Sequence, residues 1–275
     1  MRVRGDSAVV RARLSLPESR VRQLCAAALT CVLMAPIVLP ARAQRGRGAP
    51  ATPVAPKAQA PIDLTGYWVS VVTEDWRYRM VTAPKGDHPG VPLNAEGNRV
   101  ANAWDSAKDE AAGEACRAYG AAGVMRAPGR LHITWDTDDT LKVETEAGTQ
   151  TRLFHFEAPA DSPGAATWQG VSVAVWEFAG RGRGRGATPR GGSLKVVTTH
   201  MRPGYVQKNG VPYGEHAVLT EYFSRTMEPN GDSWLILTSI VEDPQYFTQP
   251  FIRSTHFKRL PDTFNMWEAE ACSTK

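Results

Sequence analysis

From Gly66 onward, apolar and polar residues alternate with a period of two. Leu131, Ile133 and Trp135 interleave with His132 and Thr134, and Leu141 and Val143 with Lys142 and Glu144. Val171, Val173 and Val175 mark one face of their segment, and Ser172, Ala174 and Trp176 the other. Alternation rich in β-branched and aromatic residues predicts half-buried strands. The separators are turn-forming: Asp138-Asp139, Asn209-Gly210 and Asn230-Gly231. Asn-Gly suits a two-residue hairpin because both central residues tolerate positive φ. The pattern predicts about nine or ten strands, near 66–73, 76–82, 129–136, 140–146, 149–157, 167–178, 193–201, 217–226, 232–242 and 251–259. One stretch breaks the series. Residues 94–119 are rich in Ala and Glu, place Val100, Ala103, Trp104 and Ala107 at helical spacing, and offer Asn94 as a cap. The expected fold is all-β: an antiparallel meander closed into a barrel, with a helical insert near 94–119.

The N-terminal region has a different character. Leu24 to Ile37 is an apolar run preceded by arginines and followed by Ala41-Arg42-Ala43. This is the layout of a cleaved secretory signal, and the run is short of the ~20 residues that span a bilayer. Residues 1–43 therefore read as a signal peptide cleaved after Ala43, which puts the protein in the periplasm or outside the cell with no stable membrane insertion after cleavage. Residues 44–61 read as a disordered Pro/Ala-rich tether, too poor in large apolar residues to pack, and 62–275 as the barrel domain.

Charge follows the same division. The formal net charge is +4. The signal contributes about +5 and the tether about +3, which leaves the barrel near −4. A basic protein on paper is thus an acidic domain with a basic leader, and nucleic acid is not an expected partner. The Arg-Gly run 180–186 lies between two predicted strands of an exported chain, where a solvated hairpin loop explains it better than an RNA-binding segment.

Cys25 and Cys31 leave with the signal, so Cys116 and Cys272 remain. An even pair in an oxidising compartment predicts a disulfide that staples the C-terminal tail to the helical insert. It would close a loop of about 156 residues.

The stretch Asp63–Val71 reads DLTGYWVSV, and its Gly66-Tyr67-Trp68 resembles the Gly-x-Trp that opens the first strand of lipocalins and other calycin barrels. In that group an Arg or Lys after the last strand packs across the Trp, so the resemblance implies this role for Arg253, Lys258 or Arg259. More broadly, residues 62–275 resemble an uncharacterised family of secreted bacterial proteins with lipocalin-like barrels. The segments carrying this are TEDWRYRMVTAPKGD, GTQTRLFHF, RPGYVQKNGVPY, LTEYFSR and VEDPQYFTQPF. The resemblance implies a barrel and export, and it says little about chemistry. The chain departs from ordinary lipocalins in size, with 94–128 as an extra insert.

Candidate chemistry is sparse. The histidines at 88, 132, 155, 200, 216 and 256 show no metal-ligand spacing, so neither a metal nor another cofactor is expected. There is no Gly-x-Ser-x-Gly nucleophile motif. In Leu219-Thr220-Glu221-Tyr222-Phe223, Glu221 shares a face with Leu219 and Phe223. A carboxylate on an apolar face must be paired or protonated, and Arg79, Arg152 and Lys195 are the candidate partners. The arrangement reads either as a structural ion pair or solvent-facing residue, or as an acid/base pair in a barrel mouth, with His200 as a further catalytic candidate. Trp76, Trp135, His155, Trp176, Tyr205 and Tyr222 are candidates to line a barrel interior. The expected function is binding of a small hydrophobic or aromatic molecule inside the barrel. The alternatives are a small-molecule hydrolase or isomerase using the same pocket, and a cell-envelope interaction protein. Oligomeric state is not legible.

Overall fold

The computed structural model describes residues 54–159, 164–180 and 191–274. The signal-like run, the first part of the tether and the core of the Arg-Gly loop lie outside them. Eleven strands appear among the described residues: β1 (Gly66–Val71), β2 (Arg130–Thr137), β3 (Thr140–Thr145), β4 (Gln150–His155), β5 (Val171–Phe178), β6 (Gly192–Thr199), β7 (Gly204–Gln207), β8 (Val211–Tyr213), β9 (Val218–Met227), β10 (Ser233–Glu242) and β11 (Phe251–Arg259). Nine of them close a barrel in the order β1-β11-β10-β9-β6-β5-β4-β3-β2, and β7 and β8 form a separate hairpin.

The barrel is mixed, not a purely antiparallel meander. β4 and β5 run parallel, with Phe154 opposite Ser172 and His155 opposite Val173. The two strands are separated in sequence by residues 156–170, a connection of the length that parallel neighbours need. A second correction concerns 76–82. Those residues alternate like a strand, yet Trp76–Arg79 form a helical turn. The alternation is inverted in space, because Trp76 is 65% exposed while Arg79 is buried. The tether also ends earlier than expected. Pro56–Gln59 is a helical turn, and the Lys57 N–H donates to the Asp138 carbonyl at 3.1 Å.

The inward positions form one contiguous apolar cluster that includes Trp68, Ile133, Val143, Phe154, Leu194 and Phe257. On β5 the inward face is Ser172, Ala174 and Trp176, so the valines point outward. Both barrel ends are covered. At the lower end, where β1 begins, the Trp176 Nε1–H donates to the Pro56 carbonyl at 2.9 Å and Arg225 donates to the Asp63 carbonyl at 2.7 Å. Trp68 donates to the Leu64 carbonyl at 2.9 Å. The cation across its ring is Arg225 of β9, 6.0 Å away, and not a residue following the last strand. Arg259 lies against Gly66 instead.

At the upper end the excursions 72–129, 200–217 and 243–250 meet in a second core with Met201, Val211, Tyr213, Phe247 and Phe251. The helical insert there is several short pieces. Ala95–Ala103 is capped by Asn94, whose side chain accepts from the Gly97 N–H at 2.8 Å, and Ser106–Ala111 follows. Asn209-Gly210 turns the β7–β8 hairpin as the sequence predicts. Gly210 has φ +83, and a Cβ there would lie 2.2 Å from the Trp104 ring. Gly210→Val should therefore cost about 2–4 kcal/mol, read as a lower urea midpoint with an unchanged slope.

The C-terminal tail leaves β11 and climbs the outer face of β1 and β2. Phe264 and Trp267 pack around Tyr67, which stacks on His132 at 4.1 Å. The Glu268 and Glu270 N–H groups then donate to Glu146, at 2.8 and 2.9 Å. The tail is fixed at Cys272, joined to Cys116 in the 3-10 turn Ala115–Tyr119.

Candidate functional site

Glu221 and Arg152 occupy inward positions of β9 and β4, as the residue alternation requires. Arg152 Nη1 and Nη2 donate to Glu221 Oε1 and Oε2 at 3.0 and 2.6 Å, a two-pronged pair inside the barrel. Arg152 Nη2 also donates to Thr198 Oγ1, which shares a hydrogen bond with Ser172 Oγ. Side-chain exposure is 0% for Arg152 and 1% for Glu221. A group sealed to that degree reaches no substrate without rearrangement, so the pair is structural in this conformation. Of the three candidate partners for Glu221, the fold selects Arg152. Arg79 instead pairs with Glu74, and Lys195 sits outside, over the Tyr222 ring at 5.7 Å. His200 is part of a bend with φ +57, where its Nε2 meets the Gly164 carbonyl at 2.7 Å, so it joins neither acid.

The proposed lining residues do not converge. Trp76 is on the surface, and Tyr222 faces outward. His155 meets Thr140 Oγ1 at 3.2 Å. Tyr205 donates to Asp109 at 2.9 Å and receives Arg117 at 3.1 Å, and burial pushes its phenol pKa above the ordinary value. Only Trp135 and Trp176 share a recess, of about 220 Å³, at the lower barrel end with Leu141, Ile62 and Lys57. Phe156 packs against both rings, 5.6 and 5.4 Å away.

The larger opening lies at the upper rim. A cleft of about 670 Å³ is walled by Tyr78–Met80, the 118–130 region, Glu146 and Ala147, β7 and the tail residue Glu270. Its size falls within the ~300–1,000 Å³ of small-molecule sites, whereas the lower recess is smaller than that range. The wall mixes Val69, Val72, Tyr119 and Val206 with Arg79, Arg126 and Arg130. Glu146 receives Arg130 Nη1 at 3.0 Å, which fixes the guanidinium at the edge. Of these residues, only Arg79 stands out in the sequence as a candidate. The others come from separate segments with no shared spacing. Among the described residues no group of three His, Cys, Asp or Glu side chains is placed to hold a metal, and no helix is long and apolar enough to cross a membrane. No protein-family model, curated protein or solved structure matches the chain.

Proposed function

We propose that this is an exported binding protein with a lipocalin-like barrel, whose interior serves as a packed scaffold and whose ligand site is the upper-rim cleft. The carrying observation is the 670 Å³ opening with mixed apolar and polar walls, beside a lumen occupied by core side chains and a sealed ion pair. Export is supported by the apolar run ending at Ala41-Arg42-Ala43 and by the Cys116–Cys272 pair. The likeness to lipocalins is supported by Gly66-Tyr67-Trp68 opening a strand of a closed barrel, with Trp68 buried in its core. The ligand site thus moves from inside the wall, where the sequence suggests it, to the rim.

Native mass spectrometry after incubation with a bacterial metabolite and lipid extract tests this reading. Wild-type protein should retain a small molecule, and Ala127→Phe, which fills the cleft, should lose it while remaining folded. Retention that survives Ala127→Phe but disappears in Ala60→Trp would place the site in the lower recess and overturn the proposal.

A further inference from the structure

Beneath one wall of the cleft lies a cluster of buried charge. Arg79 and Arg126 both border the opening, yet their side chains are 0% and 8% exposed, so Arg79, like Arg152 in the barrel, reaches a ligand only if it moves. The Arg79 guanidinium is held against the Arg126 backbone, where its Nε donates to the Arg126 carbonyl at 2.9 Å. Arg79 Nη1 pairs with Glu74, and Arg126 Nη2 donates to Asp75 Oδ2 at 3.1 Å. Arg253 places its Nε 3.2 Å from the same Asp75 oxygen. Asp75 itself takes a left-handed φ of +51, a conformation that Asp tolerates better than most residues. Three guanidinium groups thus face two carboxylates.

The hydrogen bonding is as unbalanced as the charge. Arg79 Nη2 and Arg126 Nη1 are buried donors without a partner. A buried ionic donor left unsatisfied is among the more costly arrangements in a folded protein. Burial pulls the pKa of both guanidiniums below the ordinary value, and for Arg126 the charges of Arg253 and Arg79 act in the same direction. Arg152 inside the barrel also leaves one donor open, its Nε, but both of its Nη groups meet acceptors, whereas at the rim each arginine leaves a whole Nη group open.

We infer that the Arg79–Arg126 pair receives the oxyanion head, carboxylate or phosphate, of an amphipathic ligand whose apolar body lies along Val69, Val72, Tyr119 and Val206 in the rim cleft. Planar guanidinium forks match both kinds of head in geometry and charge. An acceptor there would neutralise the surplus charge and satisfy the two open N–H groups once the Arg79 and Arg126 side chains swing from the wall into the cleft. This inference rests on the reading of the cleft as the ligand site.

Calorimetric titration of the full disulfide-bonded protein with sodium decanoate, monodecyl phosphate, decanol and decylammonium chloride tests it. Decanoate or monodecyl phosphate should bind at least about tenfold more tightly than decanol, as expected for charge-assisted hydrogen bonds. The preferred anion then separates a fatty-acid type of ligand from a phosphorylated one. Arg126→Met should bring the anion down to the decanol level, and Arg126→Lys should restore part of the difference. If Arg126→Met does not fold, the head-group series on wild-type protein decides alone. Equal affinity for all four chains overturns the oxyanion assignment and leaves the cleft as a binding site. Failure of all four while an extract ligand is retained has the same meaning. Failure of both experiments overturns the cleft reading as well.

Discussion

Glu221→Ala should lower the unfolding free energy by about 3–5 kcal/mol, and Arg152→Ala by a similar amount. Each substitution strands a full charge at a site with no exposure, because the two side chains are each other's main partners. The double variant Arg152→Met/Glu221→Leu should recover most of the loss, since an apolar pair of similar volume avoids desolvating two ions. Urea denaturation of wild type, Arg152→Met, Glu221→Leu and the double variant gives the coupling directly as a double-mutant cycle. Losses below about 1 kcal/mol in both single variants would show that the pair reaches water through motions of the wall. Urea denaturation of Glu221→Gln tests the catalytic alternative: a catalytic carboxylate would be stability-neutral on conversion to Gln, whereas here Glu221→Gln leaves the Arg152 charge uncompensated.

Replacing Cys116 and Cys272 together with Ser should cost up to about 5 kcal/mol, the chain-entropy value for so long a loop. The native tail does not depend on the link alone. Phe264 packs on Tyr67, and the Glu268 and Glu270 amides bond to Glu146. The expected pattern is a large fall in urea midpoint with faster proteolytic cleavage confined to residues near 260–274. An unchanged midpoint would mean that the unfolded chain is already restrained without the bond.

Much of the barrel is readable from residue order because side-chain direction in a strand follows a period of two. Glu221 between Leu219 and Phe223 forecasts a buried acid needing a cation, and Arg152 meets that need. Asn94 caps its helix, and Asn209-Gly210 turns its hairpin. The failures have equally local causes. Trp76, Tyr78 and Met80 look like one face of a strand, yet Trp76 and Met80 are exposed, and burial goes to Arg79 because Glu74 and the Arg126 carbonyl compensate it. The two faces of β5 are distinct in the sequence but which one turns inward is not, and Trp176 fixes that direction by packing with Trp135 and Phe156. The rim cleft is invisible in the sequence, since it exists only where the excursions between strands meet the tail.

The β4–β5 junction has a consequence for behaviour under stress. Only two residue pairs join these strands, while their other neighbours are held along six to eight pairs. Separating that seam would leave a curled nine-strand sheet with all remaining pairings intact and two unpaired backbone margins. Leu153, Val173 and Val175, the last 53% exposed, project from the outer surface beside it. A mild perturbation that parts the wall there would present sticky strand borders already flanked by apolar side chains, which are the ingredients for intermolecular sheet growth. Self-association on gentle heating would then begin at this margin, ahead of any loss of the central fold.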